Sequence, residues 1–366
     1  MKNIFEKLEK PFFCLAPMAD VTDAAFRSII CKYGKPDIFW TEFVSADGLS
    51  SPGREILKDN LIFNKKEHPI VVQLFSSNID KMREASKYCA SLGFDGIDIN
   101  MGCPDRSVEK QGAGAAMIKD MKKAGEIIQA VKDGIKDFKK KGKTKNISIS
   151  VKTRIGYNKN QIKEWIPFLL SCGIDALTIH ARTRKEMSLV PARWEHIKEV
   201  VEIRNKMGVK TKIIGNGDVR DLKHGYELAK ETGCDGVMIG RAIFGNPWLF
   251  TNSRNGINSK FSQVLGRGRT RSQTSSKILI NSTPTLKEKL KVMLEHTKLF
   301  EKILGKHRNF AIMKKHFKAY VNGFPARPHD SSGAGGIGTK ELRVKLMETK
   351  NAKEVEKIVS NFLKNH

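Results

Sequence analysis

IDINMGCPDRSV, residues 97–108, begins as a strand and ends as a candidate site. Ile97 and Ile99 alternate with Asp98 and Asn100, the period of a pleated strand. Gly102 then interrupts the run, and Cys103 is followed by Pro104, which cannot continue a ladder. A thiol at the lip of a strand points to an architecture that gathers functional groups at strand ends.

The neighbouring sequence repeats the pattern. Short β-rich runs at 12–18, 37–44, 69–75, 96–102, 147–154, 176–182, 212–218 and 236–241 make eight strands. Amphipathic segments such as 79–93, 121–138 and 221–233 carry apolar residues at helical spacing, while the connection 47–68 is the least regular. Eight strands alternating with helices over about 250 residues fit a (β/α)8 barrel, although a doubly wound open sheet would alternate in the same way. The strand ends favour the barrel. They read PMAD, VQLF, NMGC, VKTR, HARTR, GNGD and GR, and Gln, Lys, His and Asn are unexpected at the ends of strands buried wholly in a core.

The expected fold is therefore α/β: a TIM barrel over 1–250, then a small all-helical C-terminal domain over 285–366. Residues 251–284, with six basic and no acidic side chains among many Ser, Asn, Gly and Thr, read as a basic low-complexity linker or insertion. A Gly/Ser-rich stretch at 323–340 interrupts the helical part.

Charge suggests a polyanionic partner. The chain of 366 residues carries a net charge of +27. Residues 1–250 hold 42 basic and 31 acidic side chains, and residues 251–366 hold 24 and 8, so the excess is concentrated in the C-terminal third. A generally lysine-rich composition is the alternative. No run approaches the ~18 apolar residues of a membrane span, and the first ten residues are too polar for a signal peptide, which predicts a cytoplasmic protein. The six cysteines show no C-x-x-C pair and no zinc-like spacing with histidine, so no metal site is expected.

Among the strand ends, GNGDV (215–219) and GRAIFGNPW (240–248) follow the two strands that commonly hold a phosphate in barrels. Glycines there admit backbone N–H groups, and Arg241 would supply an ionic contact. Lys152 closes an apolar, β-branched run, where a lysine needs a partner or a route to solvent; at a barrel mouth it would stabilise a reduced flavin. His180 and Gln73 share that rim position.

Taken together, APMADVTDAAFR (16–27), DINMGCP (98–104), VKTR, HARTR, NGDV, GRAIFGNPW, MKKHFKAYVNGFP (313–325) and ELRVKLMET (341–349) resemble the motifs of the tRNA-dihydrouridine synthases. That resemblance implies an FMN-dependent barrel enzyme, driven by NADPH or NADH, that reduces the C5–C6 double bond of a uridine in tRNA. Hydride would pass from reduced FMN to C6 and a proton from Cys103 to C5. A thiol of ordinary pKa ~8.5 is still protonated near neutral pH, as a general acid must be. Carried over by position, FMN contacts would be Pro17, Met18, Ala19, Gln73, Lys152, His180, Asn216, Gly217, Asp218, Gly240 and Arg241. Arg106, Arg182 and Arg184 would lie along the tRNA. The helical domain would bind tRNA, and the protein is expected to act as a monomer.

The sequence departs from the family pattern at Asp20, where glycine is usual, so the turn after the first strand must accept a left-handed aspartate. The residues also leave room for a flavin reductase acting on a small enone, which would have no need of a basic helical domain. A non-catalytic RNA-binding barrel is the third reading, disfavoured by Cys103, Lys152 and His180.

Overall fold

The protein is described from a computed structural model covering residues 3–139, 146–251, 284–322 and 338–364. The expectations for 251–284 and 323–340 fall almost wholly outside the described residues. Eight parallel strands are present: β1 (Phe12–Leu15), β2 (Phe39–Ser45), β3 (Ile70–Phe75), β4 (Gly96–Met101), β5 (Ser148–Arg154), β6 (Ala176–His180), β7 (Lys212–Asn216) and β8 (Gly236–Ile239). Their spatial order is β1-β8-β7-β6-β5-β4-β3-β2. A parallel bridge between Cys14 and Ile38, with the Leu15 N–H donating to the Ile38 carbonyl at 3.2 Å, joins β1 to β2. The sheet thus curls back on itself as a barrel, with helices on the outside.

Each strand begins near its expected residue, but several stop early. β1 ends at Leu15 because the chain turns: the Val21 and Thr22 N–H groups both donate to the Met18 carbonyl. β7 ends at Asn216 because Gly217 (φ 129°) and Asp218 (φ 52°) adopt backbone conformations that no strand accepts. Asp20 is left-handed as the sequence required, at φ 55°, and its N–H donates to Glu42 Oε1 at 2.7 Å.

Period-two alternation divides each strand between two faces. Phe5, Phe12, Cys14, Trp40, Val71, Ala176, Ile214 and Met238 form one buried apolar cluster inside the barrel, with Phe5 packed on both Phe12 and Trp40. On β3, β6 and β7 the residues beyond this plug on the same faces, Gln73, Thr178, His180 and Asn216, are polar. That change from apolar to polar along the barrel axis creates the site.

The irregular connection between β2 and β3 proves to be ordered. Arg27 and Glu67 form an ion pair (2.7 Å) with both side chains only 1% exposed. Arg27 also donates to the Thr22 carbonyl (2.7 Å) and to the Ile62 carbonyl. Asn64 and Glu67 close a capping box on the short 3-10 turn Lys65–Glu67. A segment of short helical turns, among them Ala46–Leu49, Arg54–Leu57 and Lys58–Leu61, is thereby fixed through side chains.

The chain divides into two compact units, one comprising Met1–Cys31 with Lys35–Ala242 and the other Lys32–Gly34 with Ile243–His366. The second is helical: Leu286–Leu304, Met313–Val321, Thr339–Glu348 and Ala352–Lys364 bury Leu290, Met293, Phe300, Phe317, Tyr320, Leu346, Val355 and Phe362. A capping box from Thr285 and Glu288 starts its first helix. Among the described residues no helix is long and apolar enough to cross a membrane.

The Arg27–Glu67 pair gives a test of this packing. Glu67→Ala leaves a buried guanidinium without its counter-ion and is expected to lower unfolding free energy by about 3–5 kcal/mol. Urea denaturation followed by circular dichroism checks it.

Candidate active site

Three polar tiers rise from the apolar plug toward the C-terminal ends of the strands. Gln73, Asp98 and Ser150 are register partners on β3, β4 and β5; Asn100, Lys152 and Thr178 form the next row; Arg154, His180 and Asn216 form the last. In-register residues of parallel strands face the same side, so the interior tiers follow from the sequence alternation itself.

The lowest tier is a directed network. Asp98 is fully buried, and its carboxylate accepts from Gln73 Nε2 (2.6 Å) and Ser150 Oγ (2.5 Å). Gln73 Oε1 accepts from Asn100 Nδ2 at 3.0 Å, and Asn100 Oδ1 accepts from the N–H groups of Gly102 (3.1 Å) and Cys103 (2.9 Å). Burial pushes the Asp98 carboxyl up to about 6, although Gln73, Ser150 and nearby Lys152 all favour its charged form.

Cys103 therefore sits on a loop whose backbone is pinned from both sides, since its carbonyl also accepts from the Ala115 N–H at 2.9 Å. Gly114, at φ 61°, lets the two segments approach: a Cβ there would lie 2.8 Å from the Cys103 carbonyl oxygen. The thiol is half-buried, and burial raises its pKa, while Arg154 and Lys152 act in the opposite sense. It remains a thiol near neutral pH with two cations close enough to ease loss of its proton.

Lys152 makes no hydrogen bond or ion pair among the described residues. Burial and Arg154 lower its ammonium to about 8. Arg154 is held by the carbonyls of Gly102 (2.8 Å), Thr183 and Met187 (both 3.1 Å), and burial lowers it to about 10. His180 Nε2 lies 3.1 Å from Arg182 Nη1; a guanidinium only donates, so Nε2 accepts and Nδ1 carries the proton. Burial, then Lys152 and the arginines, hold its pKa well below the usual histidine range, so the ring is neutral.

Asp218 organises the opposite side of the mouth. Its carboxylate takes Arg182 on one oxygen and Arg241 on the other (2.5 Å), and also accepts from the Ala192 N–H at 2.9 Å. Burial raises its pKa, but these donors outweigh that and leave the carboxyl below its ordinary value. Gly217 is required here, because a Cβ would lie 2.7 Å from Ala192 Cβ and 3.3 Å from the His180 ring. Asn216 donates to the Met238 carbonyl (2.8 Å), tying β7 to β8. Met18 and Gly240 meet across β1 and β8, the Met18 sulfur 3.6 Å from where a Gly240 Cβ would stand.

Several expected residues are thus brought around one mouth: Gln73, Cys103, Lys152, His180, Asn216, Gly217, Asp218 and Arg241, with Pro17, Met18 and Ala19 at the adjoining end of β1. Arg106 is exposed at the start of the short helix Arg106–Lys110. The other two arginines expected along an RNA are differently placed. Arg182 is 2% exposed and committed to Asp218, His180 and the Val190 carbonyl (2.6 Å), and Arg184 is paired with Glu109 through Nε (2.8 Å). Sequence reasoning missed Arg154, Asp98 and Asn100. Period two from Lys152 places Arg154 on the interior face and puts Asp98 and Asn100 on one face of β4, so that much was present in the strand alternation, whereas the pairing of Asp98 with Gln73 comes only from the register. Among the described residues no group of His, Cys, Asp and Glu could hold a metal ion.

A group that fits this mouth must accept hydrogen bonds and carry an anion. Lys152 Nζ and His180 Nδ1–H are donors without partners among the described residues, and Arg241 stands exposed at the glycine-containing end of β7 and β8.

Comparison with known proteins shows the family. The family model described as Dihydrouridine synthase matches residues 14–331. A "Probable tRNA-dihydrouridine synthase" of Staphylococcus aureus (strain N315) is 36% identical over 364 residues, covering 99% of this chain and 96% of that protein. A "Probable tRNA-dihydrouridine synthase 2" of Bacillus subtilis (strain 168) is 34% identical, with 99% and 97% covered. Among solved structures, a 2-naphthoyl-CoA reductase in complex with 2-naphthoyl-CoA shares the fold at a TM-score of 0.50 and 12% identity, over 70% of this chain and 51% of that one.

The buried carboxyl supplies a pH test. Its folded pKa is raised, so the folded state binds more protons between the ordinary aspartate value and about 6, and the charged form costs stability above that window. Asp98→Asn is expected to raise unfolding free energy at pH 7 by about 1–3 kcal/mol, the gain shrinking as pH falls toward 4. Urea melts of both proteins across that range check it.

Proposed function

The chain belongs to the dihydrouridine synthase family, and from that premise we propose that it is an FMN-dependent tRNA-dihydrouridine synthase using NADPH or NADH. The reaction reduces the C5–C6 double bond of a uridine, hydride adding to C6 and a proton to C5. The observation that carries the reading is Cys103: a half-buried, protonated thiol anchored by its own N–H and carbonyl, at the mouth that Lys152 and His180 also face.

When bound, reduced FMN supplies the hydride. The protein's own part is to position and to move a proton. Cys103 Sγ–H donates to C5, and the resulting thiolate is favoured by Arg154 and Lys152 until solvent reprotonates it. Lys152 Nζ and His180 Nδ1–H donate to the polar edge of the ring system, and Gln73, Pro17, Met18 and Ala19 border it. Arg241 with the N–H groups around Asn216, Gly217 and Gly240 takes the phosphate. Asp218 cannot touch a phosphate itself, since both are anionic; its role is to aim Arg241 and Arg182. Arg182 in turn fixes the His180 tautomer.

Recognition of tRNA rests on charge. The target uridine must leave its stack to enter the barrel, at a cost of a few kcal/mol, and phosphate contacts from the basic C-terminal third offset it. Arg106 and Arg184 border the entrance. We assign the protein to the cytoplasm and to a monomer whose one chain supplies the whole site.

Cys103→Ala is expected to keep its flavin and its reduction by NADPH while losing dihydrouridine formation by about 10²–10⁴-fold. Full activity in that variant removes Cys103 as the acid. Arg241→Ala is expected to weaken flavin retention about tenfold, read by equilibrium dialysis, and an unchanged affinity would count against the phosphate assignment. Turnover of tRNA should fall steeply with added salt; a rate indifferent to salt, with a free enone reduced instead, favours a small-molecule reductase.

A further inference from the structure

The polar network beneath the mouth has a direction. Asp98 is a carboxylate, an acceptor only, so the Gln73 atom facing it must be Nε2. That choice turns Gln73 Oε1 toward Asn100, which fixes Nδ2 as the atom that faces back. Asn100 Oδ1 is then the only side-chain atom left to receive the Gly102 and Cys103 N–H groups. Each amide in this series has two orientations that differ by a flip, and its shape alone does not choose between them.

We propose that Asp98 is a positioning residue for Cys103, acting through Gln73 and Asn100 to orient two amides and so hold the loop that presents the thiol. This inference rests on Cys103 being the acid of the proposed reaction, yet its physical content, the placement of one thiol, is measurable without turnover. The relay runs from β3 to β4 inside the barrel and joins a side chain bordering the cofactor to the residue that moves the proton. Loss of the acceptor at 98 allows Gln73 to flip, which then presents an N–H to Asn100 and turns the Asn100 amide donor toward two backbone donors. The loop must leave its anchor.

The substitution pattern follows from donor and acceptor roles. Asp98→Ala removes the acceptor. Asp98→Asn keeps it, because the new amide can place its oxygen toward Gln73 and its NH2 toward Ser150 Oγ, which accepts as well as donates. Ser150→Ala alone leaves the carboxylate in charge, whereas the double variant Asp98→Asn/Ser150→Ala leaves only the Trp40 indole, which also favours a charged Asp98, to bias the orientation of the amide.

The experiment uses the flavin-loaded protein. Alkylation of Cys103 by iodoacetamide is followed by peptide mass spectrometry, beside kcat and KM with tRNA. Asp98→Ala and the double variant are expected to change the Cys103 alkylation rate and to lower kcat about tenfold or more, with KM for tRNA little changed. Asp98→Asn and Ser150→Ala should each stay near wild type, which makes the pair non-additive. If Asp98→Ala does not fold, the three milder proteins still decide. A double variant whose Cys103 alkylation equals the sum of two small single effects overturns the relay. Wild-type protein that makes no dihydrouridine, yet shows the non-additive alkylation, keeps the relay and rejects the proposed reaction.

Discussion

Mutual repulsion among the cations at the barrel mouth is the constraint on which the rest of the site depends. Lys152, Arg154, Arg182, Arg184 and Arg241 lie within electrostatic reach of one another or of the His180 ring between them. Asp218 and Glu109 take three of the five directly. The remaining positive field has consequences that appear in each titrating neighbour. It adds to the burial that keeps His180 neutral and lowers Lys152, and it opposes the burial that raises Cys103. A mouth built this way favours an anion.

The barrel makes that crowding possible. Guanidinium groups that would repel on a surface are here tied to the carbonyls of strand-end loops: Arg154 to Gly102, Thr183 and Met187, and Arg182 to Val190. The arginines thus serve two ends at once, ordering the loops around the mouth and setting its potential. At the foot of the site the carboxylate of Asp98 lies buried where its charge is costly, a cost explained by the orientation it imposes on Gln73 and Asn100.

Much of this was legible in the sequence because the relevant periods are short. Short β-rich runs located all eight strands, and polar residues at their ends placed Gln73, Cys103, Lys152 and His180 together. The left-handed turn at Asp20 followed from a side chain that tolerates it. What the sequence hid was pairing. Arg182 reads like an arginine on an open loop until Asp218, distant along the chain, turns out to be its partner. Asp98 reads as one more polar residue of an alternating strand until the register sets it beside Gln73 and Ser150. The connection 47–68 looked irregular because its order comes from Arg27 and Glu67 rather than from a local pattern.

The claim that these residues serve uridine reduction is tested most directly by incubating the flavin-loaded protein with NADPH and unmodified tRNA transcripts, then weighing nuclease fragments by mass spectrometry. The account predicts a gain of two hydrogens at a defined uridine, abolished when Cys103 is replaced by alanine. Bound flavin that NADPH reduces, with no mass gain on any transcript or on native unmodified tRNA, would contradict it.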